Sequence, residues 1–202
     1  MPIAQSPSDV VEYNMYYQNI RGKFVERCSG NVTWRNWLAV NRIDQCTIAE
    51  TKLNASKLKK LKDVPGYKLR AHPTQRLQSR ATSNGMVSLT ANTDCNNVHG
   101  FYTTIDNKYI MKTLNARLNL VQLFVYVPPV KTLNEYRTKP RKMRVIDKIF
   151  QDLDTLVTFS KAMGHRIIII GDFNARIGDL SGDHDDNTLG KLFFLPFIRH
   201  HN

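Results

Sequence analysis

The stretch IIIIGDFNARIG, residues 167–178, decides the fold that the sequence predicts. Four consecutive isoleucines lead to a glycine, an aspartate, a phenylalanine and an asparagine. An apolar run closed by glycine is typical of a buried strand. The end of a buried central strand is held rigidly, and such ends commonly carry ligand sites in α/β proteins. Gly, Asp and Asn are also ordinary turn formers, so this stretch alone fits a ligand site and a plain strand-to-turn transition equally well.

Length and composition predict one globular domain. The chain has 202 residues, which is enough for one sizeable domain and short for two. A hydrophobic fraction of 42% and a mean hydropathy of -0.39 are ordinary for a soluble protein. We assign residues 1–12 to an N-terminal tail and residues 13–202 to the domain.

The N-terminus and the cysteines predict an intracellular protein, with the nucleus as one candidate location. The opening residues, MPIAQSPSDVVEYN, lack the charged and apolar regions of a secretion signal. No apolar run is long enough to cross a bilayer. Cys28, Cys46 and Cys95 are odd in number and widely spaced, so they match neither a disulfide framework nor a zinc site.

The net charge predicts a polyanionic partner. Lysine and arginine total 29 against 17 acidic residues, for a formal net charge of +12. Basic domains suit nucleic acids because phosphate neutralisation releases counterions. An unpartnered basic face is the alternative, and an anionic membrane is a weaker one because the lysine-rich segment lacks an aromatic-anchored amphipathic face. The bases cluster in two segments: Lys52, Lys57, Lys59, Lys60 and Lys62, and Lys131, Arg137, Lys139, Arg141, Lys142 and Arg144.

The hydrophobic pattern predicts a layered α/β domain in which strands outnumber helices. A long helix with apolar residues at helical spacing precedes the isoleucine strand, and Gly164 sits where a C-cap glycine would. The predicted strands are 13–20, 46–49, 85–90, 98–105, 118–127 and the isoleucine run, and the predicted helices are 33–43 and 141–163.

Polar residues stand at the ends of several predicted strands: Asn19, Glu50, Tyr126, Asp172 and Asn174. If these ends converge, two carboxylates, two amides and a phenol share one cleft. Such hard oxygen ligands suit Mg²⁺ or Mn²⁺ and phosphoryl chemistry. Each residue alone also has a purely structural interpretation. Asn19 could cap a turn, Glu50 could start a helix, and Tyr126 could be a core tyrosine.

Five short segments carry a family resemblance: YYQNIRG at 16–22, AETKL at 49–53, SNGMVSL at 83–89, VYVPP at 125–129 and GDFNARIG at 171–178. Together, and in this order, they resemble the endonuclease/exonuclease/phosphatase superfamily, and most closely the LINE-type retrotransposon endonucleases within it. GDFNARIG is specific, whereas AETKL or VYVPP alone would be weak. The resemblance implies a DNase I-like four-layered α/β sandwich.

The resemblance also implies a role for each residue at the strand ends. Glu50 would be the principal ligand of Mg²⁺ or Mn²⁺, with Asn19 beside it in the metal and water network. Tyr126 would contact the scissile phosphate as a phenol or a phenolate. Asp172 would orient or activate the attacking water, and Asn174 would bind a phosphate oxygen. The implied reaction is hydrolysis of a phosphodiester, nicking DNA to leave a 3′-hydroxyl.

Two departures from the family pattern modify this expectation. Arg21 stands where some repair members place an aspartate; an arginine there is common in the retroelement branch, and we expect it to contact substrate. The family's last motif supplies a histidine some tens of residues after GDFN, but His184, His200 and His201 do not sit in such a motif. We therefore expect a domain incomplete at its C-terminus, lacking its last strands, with little or no nuclease activity.

A second function stays open beside the nuclease. The chain could be a non-catalytic remnant of such a domain that still binds nucleic acid, which the net charge of +12 favours. Under either hypothesis the expected partner is nucleic acid, most readily DNA, and not a membrane. A protein partner cannot be inferred from the sequence.

Overall fold

The computed structural model describes residues 12–59, 61, 64–72, 85–102, 109–129, 139–174, 197, 200 and 201. Nearly all of the predicted tail at 1–12 lies outside these residues, as does most of the segment after Asn174. The strands are β1 Met15–Asn19, β2 Gln45–Ala49, β3 Tyr67–His72, β4 Met86–Ala91, β5 Val98–Tyr102, β6 Ile110–Asn115, β7 Leu120–Tyr126 and β8 Arg166–Asp172. The helices are a π-helical turn Val25–Ser29, α1 Val32–Val40, α2 Ala55–Leu58 and α3 Lys139–Ala162.

The strands form two four-stranded sheets packed face to face. The first has the order β1-β2-β4-β3 and the second the order β5-β6-β7-β8. Each sheet contains one parallel pair, β1 with β2 and β7 with β8, and its other pairs are antiparallel. Helix α1 and the π-helical turn pack on the first sheet, and α3 packs on the second. The predicted helix–sheet–sheet–helix sandwich is confirmed.

A hydrogen-bonded polar layer lies between the sheets. Gln45 Nε2 in the first sheet donates to Ser88 Oγ at 3.4 Å and to Thr113 Oγ1 in the second sheet at 3.1 Å. Thr113 Oγ1 in turn donates to Gln122 Oε1 at 2.5 Å. All four side chains are buried. A satisfied buried network has few alternative arrangements, so this layer fixes how the two sheets sit on each other.

Helix α3 buries most of the apolar stripe that the sequence predicts, which consists of Val145, Ile149, Leu153, Leu156 and Phe159. Ile146, Ile149, Leu153 and Val157 are fully buried against the second sheet. The predicted stripe ended at Phe159, which is 58% exposed and lies under the Lys112 ammonium, 5.3 Å from the ring centroid. The helix ends as predicted, at a glycine with positive φ, Gly164 at +71°.

The isoleucine strand lies at an edge among the described strands. Within the described part of the chain, β8 pairs only with β7 and forms the edge of the second sheet. Its isoleucines, 167–170, are half-buried, because one face packs against α3 and the core while the strand has a neighbour on one side only. In the described ranges, no helix combines the length and apolar character needed to span a bilayer.

Candidate active site

Two parallel strand pairs, one from each sheet, bring the predicted residues to one edge of the sandwich. Asn19 ends β1 and is in register with Ala49 of β2, which Glu50 follows. Tyr126 ends β7 and is in register with Asp172 at the end of β8. Parallel strands end at the same edge of their sheet. The face-to-face packing of the sheets then places these two edges together.

The side-chain amide of Asn19 joins the carboxylates of both sheets. Its Nδ2 donates to Glu50 Oε1 at 3.2 Å and to Asp172 Oδ2 at 3.0 Å. Its Oδ1 accepts from the backbone N–H of Arg21 at 3.1 Å. An amide oxygen can only accept and an amide nitrogen only donate, so these contacts fix which end of Asn19 faces the carboxylates.

The carboxylate of Asp172 is held on both oxygens. Oδ1 accepts from the backbone N–H of Asn174 at 3.0 Å, opposite the bond from Asn19 to Oδ2. Asn174 Nδ2 donates to the carbonyl of Val127 at 2.8 Å, and Val127 N–H donates to the carbonyl of Asp172 at 2.8 Å. The end of β8 is therefore hydrogen-bonded to Val127, the residue that follows β7. These bonds orient the Asp172 carboxylate.

Tyr126 lies beneath Glu50 as a neutral phenol. The side chain is 4% exposed, and its hydroxyl is hydrogen-bonded to the Glu50 carboxylate. Burial raises the pKa of Tyr126 well above its ordinary value, and the Glu50 bond and the charges of Glu50 and Asp172 raise it further. A phenolate here would face two carboxylates, so without a cation the structure favours the phenol over the phenolate.

Sequence reasoning missed Tyr17, which supports the site from β1. Its hydroxyl donates to the carbonyl of Val125 at 3.0 Å and accepts from the N–H of Asp172 at 3.3 Å. Burial, first of all, raises the pKa of Tyr17. The sequence feature that could have identified Tyr17 is the alternation of side chains along a strand. Tyr17 and Asn19 are two residues apart on β1 and therefore share a face.

Three site residues, of which Arg21 at φ +52° is one, have backbone conformations that are rare outside glycine. Glu50 has φ +52° and Asn174 has φ +48°, and such strain is retained where the surrounding structure enforces it. The Glu50 carbonyl accepts a bond from Gly22 N–H at 2.6 Å, and Thr51 N–H bonds the Gly85 carbonyl at 3.0 Å. The loop that carries Glu50 is thus held on both sides of the carboxylate.

The glycine of GDFN is required by a close backbone approach. A Cβ added at Gly171 would overlap the carbonyl oxygen of Val125, its partner in β7. Any larger residue must push β8 away from β7 or tilt the strand. Because Asp172 is the next residue, such a shift would move its carboxylate.

The donor set fits a divalent cation that prefers oxygen. Two carboxylates, Glu50 and Asp172, are held at hydrogen-bond distance from one amide nitrogen, and hard oxygen ligands of this kind suit Mg²⁺ or Mn²⁺. Like charges held this close repel one another. The Asn19 amide donor offsets that repulsion in the ion-free protein.

A basic cleft adjoins the cluster. A cavity of about 560 Å³ lies between the loop after β1 and the loop after β2. Four cationic side chains line it, together with one acidic side chain, Glu26; the cations are Arg21, Lys23, Lys52 and Lys57. Glu50 directly precedes Thr51 and Lys52 of this lining. The predicted second basic cluster, 131–144, falls almost entirely on residues whose side chains are not described.

The structure thus brings all six predicted site residues into one connected group. Arg21 belongs to this group because its backbone N–H donates to Asn19, and its side chain lines the cleft. Among the described residues, no histidine is hydrogen-bonded to Asn19, Glu50 or Asp172: His165 bonds Asn119, and His201 bonds Asp154. The catalytic, metal-binding and substrate-binding roles of the six stay predictions.

Solved structures with the same fold are nucleases and related enzymes. The chain is similar to a 3′-5′ exonuclease from Neisseria meningitidis, with a TM-score of 0.59 and 17% identity over 91% of this chain and 69% of the other. It is also similar to an AP endonuclease from Leishmania major, with a TM-score of 0.64 and 16% identity over 94% and 67%. The catalytic domain of Xenopus laevis APE2 matches with a TM-score of 0.63 and 16% identity over 90% and 66%.

These likenesses show that the chain has the DNase I-like fold. One further structure of the Neisseria protein is of a 3′ phosphatase bound to a product DNA hairpin. No protein-family model and no curated protein matches the sequence.

Proposed function

We propose that this chain hydrolyses phosphodiester bonds of nucleic acid, nicking DNA to leave a 3′-hydroxyl as retrotransposon endonucleases do. The observation that carries the proposal is the Asn19 bridge, which holds Glu50 and Asp172 together; Glu50 directly precedes Thr51 and Lys52, which line a cationic cleft. The fold is shared with an exonuclease and with AP endonucleases, and this supports the proposed substrate class.

Glu50 and Asp172 would hold Mg²⁺ or Mn²⁺, with Asn19 positioned between them. When bound, such a cation offsets the negative charge of the phosphate and lowers the pKa of a coordinated water. The contacts support the proposed role of Asp172. Asp172 is fixed by donors on both oxygens, so its remaining lone pairs are aimed to orient an attacking water.

Tyr126 and Asn174 would bind the phosphate. A neutral phenol is a donor, and the Tyr126 hydroxyl that now meets Glu50 can donate to a phosphate oxygen when substrate displaces that contact. Asn174 contributes amide N–H groups at the end of β8, where the strained backbone fixes their direction. Donors placed before the reaction stabilise developing negative charge without reorganisation.

The cationic cleft would hold the phosphate backbone beside the cluster. Arg21 and Lys52 come from the two loops that immediately follow Asn19 and Glu50. A strand lying in the cleft would therefore present a phosphate to the carboxylates. Contacts of this kind position the nucleic acid without reading its sequence.

We expect the activity of this chain to be weak. Within the described residues, no histidine bonds the carboxylate cluster. A positioned acid–base group contributes about 10²–10⁴-fold in rate. Catalysis would then depend on the bound cation, on the hydrogen-bond donors of Tyr126 and Asn174, and on the carboxylates of Glu50 and Asp172.

A supercoiled plasmid nicked in Mg²⁺ or Mn²⁺ and then offered to a DNA polymerase tests the reaction type. Extension from the nick without prior phosphatase treatment is expected, because the proposed product carries a 3′-hydroxyl. Nicks that require phosphatase treatment before extension would contradict the proposal. An EDTA sample without nicking controls for the cation.

Non-catalytic nucleic-acid binding is the second candidate, favoured by the four cations of the cleft. It predicts salt-sensitive DNA binding that survives Glu50→Gln, with no nicking in any cation. For either function we propose an intracellular setting, with the nucleus as the compartment that holds the substrate. The three cysteines, all free, suit reducing conditions.

A further inference from the structure

A second group of side chains that could hold a metal ion consists of Asp154 on α3 and the two histidines His200 and His201, separate from the Asn19–Glu50–Asp172 group. His201 Nε2 is 2.8 Å from Asp154 Oδ1, and His200 Nε2 is 3.7 Å from the same oxygen. The three candidate ligand atoms all lie within 4.8 Å of one another. We propose that Asp154, His200 and His201 form a site for a transition metal of the Zn²⁺ class, which fastens the two histidines to α3.

The two histidines are positioned by contacts that do not involve Asp154. Phe197, four residues before His201, has its ring centroid 4.6 Å from the His201 ring and 6.0 Å from the Phe150 ring of α3. Lys161 Nζ donates to the His201 carbonyl at 2.7 Å. The backbone that carries the imidazoles is thus fixed against α3 before any ion binds, which lowers the entropic cost of binding.

The distances suit a small tetrahedral ion. Zinc–nitrogen and zinc–oxygen bonds of about 2.0–2.2 Å place neighbouring ligand atoms about 3.3 Å apart. The two distances to Asp154 Oδ1, 2.8 and 3.7 Å, lie on either side of that value. His200 has a side chain 69% exposed, so its rotation can close the remaining gap between the imidazoles. Water would occupy the fourth position.

The ligand types separate this site from the first one. Two imidazole nitrogens and one carboxylate favour Zn²⁺, Ni²⁺ or Cu²⁺, whereas Mg²⁺ prefers oxygen. Glu50 and Asp172 offer carboxylates and an amide neighbour but no described imidazole. The two sites should therefore bind different ions at the same time.

The test is a Zn²⁺ titration of the untagged 202-residue chain, stripped with chelator and kept in saturating Mg²⁺. We expect one Zn²⁺ per chain and a Zn²⁺-dependent rise in Tm. His200→Gln should weaken binding at least about 10-fold, since even loss of an outer-sphere partner costs about 10–100-fold. Co²⁺, used as a spectroscopic probe, should show tetrahedral visible bands that disappear in the same variant.

The matched control is His165→Gln, which removes an imidazole that bonds Asn119 and is not in the cluster. It should leave Zn²⁺ affinity unchanged. Because His200 is largely exposed, His200→Gln should keep the metal-free Tm of the unaltered chain. Equal Zn²⁺ affinity in the two variants would overturn the proposal. So would loss of Zn²⁺ binding in Glu50→Gln, since that would place the ion at the first site.

Discussion

Asn19 donates a 3.0 Å hydrogen bond to Asp172 across 153 residues of sequence and from one sheet to the other. The Tyr17 hydroxyl also joins the two sheets, by accepting from the Asp172 N–H at 3.3 Å. Asn19 Nδ2 contacts both carboxylates, since its other contact is to Glu50 within the first sheet. The distance between the Glu50 and Asp172 carboxylates is thus set in part by this amide group.

Replacing that amide with a third carboxylate should make stability depend on Mg²⁺. Asn19→Asp removes the donor and adds a like charge beside Glu50 and Asp172, which should cost about 1–3 kcal/mol without a cation. Thermal denaturation with and without Mg²⁺ measures the effect, and the gap between variant and unaltered chain should narrow in Mg²⁺. An equal Tm deficit in both conditions would show that the carboxylates do not gather around a cation.

Ionisation of Tyr17 and Tyr126 should limit stability at high pH. Burial raises the pKa of Tyr17 and Tyr126 above the ordinary value of 10.0. The folded chain therefore keeps two protons that the unfolded chain loses above that pH. Stability from these groups is complete below about pH 10 and falls as pH rises further.

Ultraviolet titration of phenolate measures this directly. Tyr126→Phe should reduce the alkaline loss of stability. At neutral pH it should leave the free energy of unfolding within about 1–2 kcal/mol of the unaltered chain, the usual range for one buried hydrogen bond. Tyr16→Phe supplies the comparison, because Tyr16 is only half-buried and its loss should change the alkaline behaviour less. Full titration of all tyrosines near pH 10 in the folded chain would contradict the expectation.

Adding one methyl group at Gly171 should damage both stability and the site. The new Cβ would overlap the Val125 carbonyl, and overpacking of this kind costs about 1–3 kcal/mol. Gly66→Ala is the comparison, since nothing lies within 4 Å of its Cβ and only its φ of +84° opposes the change. Chemical denaturation should rank Gly171→Ala as the less stable variant, and the reverse order would be inconsistent with the close approach of β7 and β8.

The cationic cleft should account for part of the salt dependence of DNA binding. Each phosphate contact that is lost lowers the slope of log K against log salt by about 1. Lys52→Gln should lower this slope. Lys148 lies on α3 and is paired with Asp152 at 2.6 Å, so Lys148→Gln should leave the slope unchanged. Fluorescence anisotropy over a salt series gives both slopes. Identical slopes for the two variants would remove the cleft from the binding surface.

Much of the site follows from the sequence because each polar residue ends an apolar run. Asn19, Glu50, Tyr126 and Asp172 lie where that rule places them. The bridge between the sheets could not be predicted, since it depends on how two separate sheets pack. Tyr17 was missed for the same reason: its partners, Val125 and Asp172, are on the other sheet.

Parts of the fold were missed where polar residues face the interior. Strand β6 carries Thr113 and Asn115, which are both fully buried. Thr113 is hydrogen-bonded to Gln45 in the polar layer, and Asn115 is hydrogen-bonded to Asp94. Because these inward-facing residues are polar, the β6 sequence lacks the alternation of apolar and polar residues that predicts a strand. Among the described strands β8 lies at an edge, and this could not be predicted because an apolar run indicates burial but not the number of neighbouring strands. The apolar period of α3 located the helix and most of its buried stripe, but it included Phe159, which is exposed.

Nicking of supercoiled plasmid in Mg²⁺ or Mn²⁺ by matched variants tests the proposed chemistry most directly. Slow nicking by the unaltered chain is expected, with loss to background in Glu50→Gln and Asp172→Asn. Glu26→Gln, which removes an exposed carboxylate from the same cleft wall, should nick at the rate of the unaltered chain. Nicking that persists in both Glu50→Gln and Asp172→Asn would contradict hydrolysis at this cluster. So would the absence of nicking by the unaltered chain in both Mg²⁺ and Mn²⁺.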